Sequence, residues 1–154
     1  MSTLADILAA EADVVSAFVL LLREEQDVLR NGSPDALPGI VERKTAAALE
    51  LSPLTAARSA GFVRAGAAAG NAGIEAWLAG RPEDDALRQG WQRLQALAEE
   101  ARELNRVNGQ LIQMRMQANA HALEALLSAA NRQDLYGADG QAAPGVTRRI
   151  IDSA

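Results

Sequence analysis

The sequence predicts an all-α protein: an elongated antiparallel helical bundle or coiled coil with one long C-terminal helix and a flexible tail. Three observations support that class. Alanine, leucine, arginine, glutamate and glutamine dominate the 154 residues and aromatics make up only 3%, a balance suited to helices with aliphatic cores. Apolar residues recur at steps of three and four through most of the chain, the period of an amphipathic helix. Start and stop signals divide that pattern at Asn31-Gly32 and at Gly80 to Asp85. A chain of this length buries a sizeable core without staples. The bundle is expected over residues 1–131 and the tail over 132–154.

The first helix is expected over residues 3–30, where Leu4, Ile7, Leu8, Val14, Val15, Phe18, Leu21, Leu22, Val28 and Leu29 share a broad face. Asn31-Gly32 reads as a left-handed stop, and Ser33-Pro34 as an N-cap followed by proline at the first helical position. The second helix, from 34 or 37 to about 58, keeps Leu37, Ile40, Val41, Ala48, Leu51 and Leu54 on one side, with Lys44 near that stripe. The short corner makes it antiparallel to the first. Pro53 lacks an amide hydrogen and crowds the carbonyl four residues back, so a bend or a new helix is expected near Ser52.

Four glycines, Gly61, Gly66, Gly70 and Gly73, each cost a helix ~1 kcal/mol relative to alanine, so residues 59–73 read as the least ordered internal stretch. Ile74, Trp77 and Leu78 then form a short helix closed by Gly80, with Trp77 and Trp91 as core anchors beneath the glycine-rich loop. Pro82 with Glu83, Asp84 and Asp85 opens a last helix, its acids at the positive end of the dipole. That helix, residues 83–131, would run roughly 70 Å. Its seam passes through Leu87, Trp91, Leu94, Ala98, Ala101, Asn105, Asn108, Ile112, Asn119, Ala122 and Leu126, widened by Leu97, Leu104, Leu111, Leu123 and Leu127. So extended a heptad-like pattern implies coiled-coil packing on the first two helices.

Charge and composition exclude several functions. A net charge of −5 and a pI near 4.9 do not suit phosphate-rich partners, so nucleic acid is not expected. There is no cysteine, and His121 is the only histidine, followed rather than preceded by Glu124. No metal site, cofactor site or catalytic group is therefore expected. The N-terminus lacks a basic start, and the longest apolar run, Phe18 to Leu22, is far short of the ~20 residues that span a bilayer. A cytoplasmic protein without stable membrane insertion is the expectation.

Two segments point to another chain as ligand. Asn105, Asn108 and Gly109 interrupt the apolar seam. A polar seam residue can fix register; two side-chain amides beside a glycine can equally bind an incoming backbone, and both readings stand. Tyr136, the only tyrosine, follows the helix end in Leu135-Tyr136-Gly137-Ala138-Asp139-Gly140-Gln141. It either caps the bundle or serves as a contact on a mobile tail, with Arg148, Arg149, Ile150 and Ile151 as a short hook that orders on binding. Met114 and Met116 read as core filler or as adaptable contacts.

With these residues in view, the chain resembles the flagellar type III export chaperones of the FlgN family. The likeness covers nearly the whole chain: Glu24-Glu25 on an apolar first helix, the Asn31-Gly32 corner, Lys44, Trp91 opening the long helix, and then Leu104-Asn105-Arg106-Val107-Asn108-Gly109-Gln110-Leu111-Ile112 and the Leu135–Gln141 segment. The Asn-x-x-Asn-Gly and Leu-Tyr-Gly-x-x-Gly elements are its specific parts. The resemblance implies a cytoplasmic chaperone that binds C-terminal helical segments of the hook-associated (hook–filament junction) proteins, prevents their premature assembly and brings them to the export gate. It implies cargo binding in the C-terminal half, within which Asn105, Asn108, Ile112, Met116, Leu123 and Leu127 are the expected cargo contacts and Tyr136 the candidate for the export gate. The alternative is a structural coiled-coil protein that self-associates through the same stripe without cargo. Monomer and homodimer are both open for the cargo-free chain.

Overall fold

In the computed structural model, which describes residues 2–135, the chain forms α1 (Leu4–Asn31), a 3₁₀ turn (Pro34–Ala36), α2 (Leu37–Ala65), α3 (Asn71–Ala79) and α4 (Asp85–Leu135). No strand occurs among the described residues, as an all-α helical bundle requires. Residues up to Leu111 form one compact unit and those from Ile112 a second. The tail expected from residue 132 lies almost wholly outside the described residues, and α4 itself continues to Leu135.

α1 begins in a capping box. The Thr3 hydroxyl accepts from the Asp6 amide at 3.1 Å and the Thr3 amide donates to the Asp6 carboxylate at 2.9 Å, so two otherwise unpaired donors are satisfied. These bonds, the backbone one first, hold the Asp6 carboxyl below its ordinary value of 3.8. The helix ends at Gly32, but not in the expected left-handed conformation: φ is −101° and ψ 177°. Glycine is needed there for proximity, because a Cβ would lie 2.9 Å from the Val28 Cα.

The corner then reverses the chain. Ser33 caps the 3₁₀ turn with Pro34 at its first position, as the sequence predicts. α2 runs antiparallel to α1, since Glu25 meets Lys44 near the corner and Glu11 meets Arg58 at the far end. The same test shows α4 parallel to α1: Asp13 pairs with Arg93 at 3.2 Å and Arg23 with Glu100.

Two expectations for α2 are corrected. Of the bend or new helix expected near Ser52, no new helix begins: α2 passes through Pro53 and, instead of ending near residue 58, runs to Ala65; Pro53 sits on the exposed face, where the carbonyl it frees can be hydrated. Val41 and Ala48 are likewise exposed, and Ile40, Ala47 and Phe62 supply the buried side.

The glycine-rich stretch is also more regular than expected. Gly61 is helical, and α2 stops at Gly66, whose φ of 110° is the left-handed cap that glycine favours. Gly73 lies so close to the loop that a Cβ would fall 2.0 Å from the Ala68 carbonyl oxygen. These glycines fold the chain tightly back, so that α3 reaches the core.

That core joins Leu8, Ala12 and Val15 of α1 to Phe62, Ile74, Leu78, Trp91 and Leu94. Phe62 is fully buried and meets Trp77 and Trp91 edge-on, with centroids 5.8 and 6.0 Å away. Trp77 donates to the Ala65 carbonyl at 3.2 Å, tying α3 to the end of α2. Phe62→Ala is expected to lower unfolding stability by ~3–5 kcal/mol, read from denaturant melts. The Asp6 contribution to α1 is present above pH 3.8 and is lost as pH falls through its depressed folded-state pKa; amide exchange at Thr3 and Asp6 should accelerate there, whereas Asp6→Asn removes that pH dependence.

Candidate protein-interaction site

The two asparagines of the seam separate. Asn108 is 1% exposed. Its Nδ2 donates to the Leu22 carbonyl at 2.8 Å and to Glu25 Oε1 at 2.9 Å, and its Oδ1 accepts from Gln26 Nε2 at 3.3 Å. Glu25, 4% exposed, accepts from Lys44 Nζ at 3.1 and 3.2 Å. α1, α2 and α4 thus meet at one buried node in which the charge is paired and each amide atom used, the condition for polar burial. Lys44 Nζ also lies 5.9 Å from the Phe18 ring centroid.

With Asn108 turned to α1, geometry places its neighbours. Three residues back, Asn105 lies about 60° to one side; four back, Leu104 lies about 40° to the other. Asn105 is exposed and Leu104 half-buried, so the expected seam position of Asn105 is corrected. The amide pair expected at the surface is reduced to Asn105, with Asn108 serving the register role. Gly109 has open space around it, and Arg106 beside it pairs with Glu103 at 2.6 Å, which holds the Glu103 carboxyl below its ordinary value.

Sequence reasoning passed over a second buried carboxylate. Glu11, 3% exposed, accepts from Thr55 Oγ1 at 2.9 Å and Arg58 Nε at 2.7 Å, and the Arg58 guanidinium lies 5.3 Å from the Trp91 ring centroid. The signal was present: Glu11 falls between Leu8 and Val15 on the apolar stripe, where a lone charge needs a partner.

From Ile112 onward α4 changes character. Ile112 is 40% exposed, Met116 66%, Leu123 56% and Leu126 69%, with Leu127 half-buried. At 100° per residue these five lie within about 100° of arc, a continuous apolar stripe. Met114, 63% exposed, lies outside it, as neither methionine fills the core. Within the second unit the structure therefore brings Ile112, Met116, Leu123 and Leu127 onto one face; within the first it leaves Asn105 exposed and buries Asn108. Tyr136 lies outside the described residues, as do Arg148, Arg149, Ile150 and Ile151.

His121 is exposed, and among the described residues no group of three or more His, Asp or Glu side chains is placed to hold a metal ion. No described helix is long and apolar enough to cross a membrane.

A family model described as FlgN protein matches residues 1–144. Two curated relatives are each called flagella synthesis protein FlgN. The one from Yersinia enterocolitica is 31% identical over 88% of this chain and 86% of its own length. The other, from Y. enterocolitica serotype O:8, is 31% identical over 86% of this chain and 84% of its own. No solved structure matches.

Asn108→Ala should cost ~1–3 kcal/mol by removing from a buried site the bonds to the Leu22 carbonyl, Glu25 and Gln26, while Asn105→Ala stays within ~0.5 kcal/mol. Paired urea melts of the two variants check the assignment.

Proposed function

This chain belongs to the FlgN family, and from that premise we propose that it is a cytoplasmic flagellar export chaperone. It acts by reversible binding, without catalysis or cofactor. Its cargo is the C-terminal helical segment of the hook-associated, or hook–filament junction, proteins, which it keeps from assembling early and delivers to the export gate. The observation that supports this is the apolar stripe at Ile112, Met116, Leu123 and Leu127, the first three 40–66% exposed and Leu127 half-buried. An apolar stripe of that width on an open helix fits the apolar face of a second amphipathic helix. Covering one such side chain contributes ~1.5–3 kcal/mol.

Asn105 and Gly109, in the first unit, are proposed as further cargo contacts. Asn105 offers an amide donor and acceptor to the cargo backbone, and Gly109 presents no side chain against it. Tyr136 is proposed for the gate, where a large ring with a polar tip makes a strong contact. In the cargo-free state the same stripe is open to a second copy of the chain.

Ile112→Glu with Leu123→Glu is expected to weaken binding of a junction-protein C-terminal fragment by about 100-fold in calorimetry, from ~3 kcal/mol of lost contact, with the melting curve unchanged. Truncation after Asn131 should weaken an interaction while circular dichroism keeps the bundle's helicity. Absence of binding to either junction protein overturns the chaperone reading. Self-assembly through this stripe in the absence of any cargo affinity replaces it with the structural coiled-coil reading.

A further inference from the structure

Sulfur redox chemistry in this chain belongs to methionine, because the sequence holds three methionines and no cysteine. Met1 lies outside the described residues. Met114 and Met116 stand two positions apart on α4 in the second unit, 63% and 66% exposed. An oxidant in solution therefore reaches both thioethers alike. Their surroundings differ: at 100° per residue the two positions lie about 160° apart, Met116 within the apolar stripe and Met114 on the far side of the helix.

Met116 is also the link in the middle of that stripe. Ile112 and Leu123 are about 17 Å apart along the helix, and the arc between them holds only Met116 and the polar Asn119. Without an apolar side chain at 116 the stripe falls into two parts, Ile112 alone and Leu123 with Leu126 and Leu127. Methionine can lose its apolar character without any change of sequence. A hydroperoxide, ROOH, transfers one oxygen atom to the thioether: an S–O bond forms as the O–O bond breaks, the sulfur is oxidised, the peroxide is reduced, and the alcohol ROH leaves, or water where the oxidant is hydrogen peroxide. The sulfoxide is polar, and its oxygen, pressed against an apolar helix, is an acceptor without a donor. The aliphatic members of the stripe have no such chemistry.

We propose that Met116 is a reversible oxidation site that governs the α4 stripe: the thioether form takes an amphipathic helix, the sulfoxide form binds it poorly, and oxidation of Met114 leaves docking unaffected. Enzymatic reduction of the sulfoxide restores the binding form. The consequence for cargo rests on the chaperone reading, whereas the change at the stripe itself does not.

The full chain is treated with hydrogen peroxide until peptide mass spectra show one added oxygen at Met114 and one at Met116, and the peroxide is then removed. Calorimetry with a junction-protein C-terminal fragment should give about 10-fold weaker binding than before treatment, with the same loss in Met114→Leu. In Met116→Leu the affinity is the same before and after peroxide. Methionine sulfoxide reductases, one for each epimer, return the wild-type chain to its starting affinity. Circular dichroism is unchanged throughout, since neither methionine fills the core. A second readout needs no cargo: the fluorescence of anilinonaphthalene sulfonate bound at the stripe, identified by its loss in Ile112→Glu with Leu123→Glu, falls on oxidation of the wild-type chain and of Met114→Leu and holds in Met116→Leu. Undiminished cargo binding by the oxidised wild-type chain overturns the proposal, as does a loss of equal size in Met116→Leu. If no form of the chain binds the fragment, the chaperone reading fails and the dye decides: a fall confined to chains that carry Met116 supports the site, and any other dye result overturns it.

Discussion

The buried Glu25 carboxylate organises this bundle. Its charge sits 4% exposed where α1, α2 and α4 meet, and such a charge persists only when fully paired. Lys44 supplies the cation from α2 and Asn108 an amide from α4, which also binds the Leu22 carbonyl. Hydrophobic packing alone tolerates sliding and rotation of one helix on another. The Asn108 bonds do not, since a shift of one residue would break those to Glu25, Gln26 and the Leu22 carbonyl together. The node therefore sets the register of α2 and the rotation of α4 at once.

The opposite end of the α1–α2 pair repeats the device. Glu11 is paired with Arg58 and Thr55, and the Arg58 guanidinium lies over Trp91, where the ring face attracts the cation. Phe62 then joins Trp91 to Trp77 by edge contacts, so the electrostatic pair and the apolar core share a wall. Between these two anchored points the interface is aliphatic. Two pairs spaced along one helix admit a single antiparallel alignment, the sheet-free counterpart of a fixed strand register.

The rotation set by Asn108 has consequences outside the core. It exposes Asn105 and half-buries Leu104, the reverse of a strict heptad seam. Beyond Leu111, α4 presents Ile112, Met116, Leu123 and Leu126 exposed. The family-like elements thus divide by location: Lys44 and Asn108 are buried or half-buried in the node, Asn105 and Gly109 are exposed, and the apolar residues Ile112, Met116 and Leu123 are exposed as well.

The sequence by itself determined the helices and most of their ends, because caps and periodicity are local. Gly32, Ser33-Pro34 and Gly80 act within a turn of where they stand, and the all-α class follows from composition. Local signals misled where long-range contact decides. Pro53 reads as a bend or a new helix, yet no new helix starts there, and the glycines of residues 59–73 read as the least ordered internal stretch, yet the chain packs against itself there without side chains in the way. Periodicity assigned Asn105 and Asn108 to the same seam, and Glu11, which falls between Leu8 and Val15 on the apolar stripe, was passed over. Only the tertiary structure decided which asparagine turned inward, since that choice depends on a carboxylate and a carbonyl more than eighty positions away, and a hydrogen bond is selected by distance and angle rather than by sequence spacing.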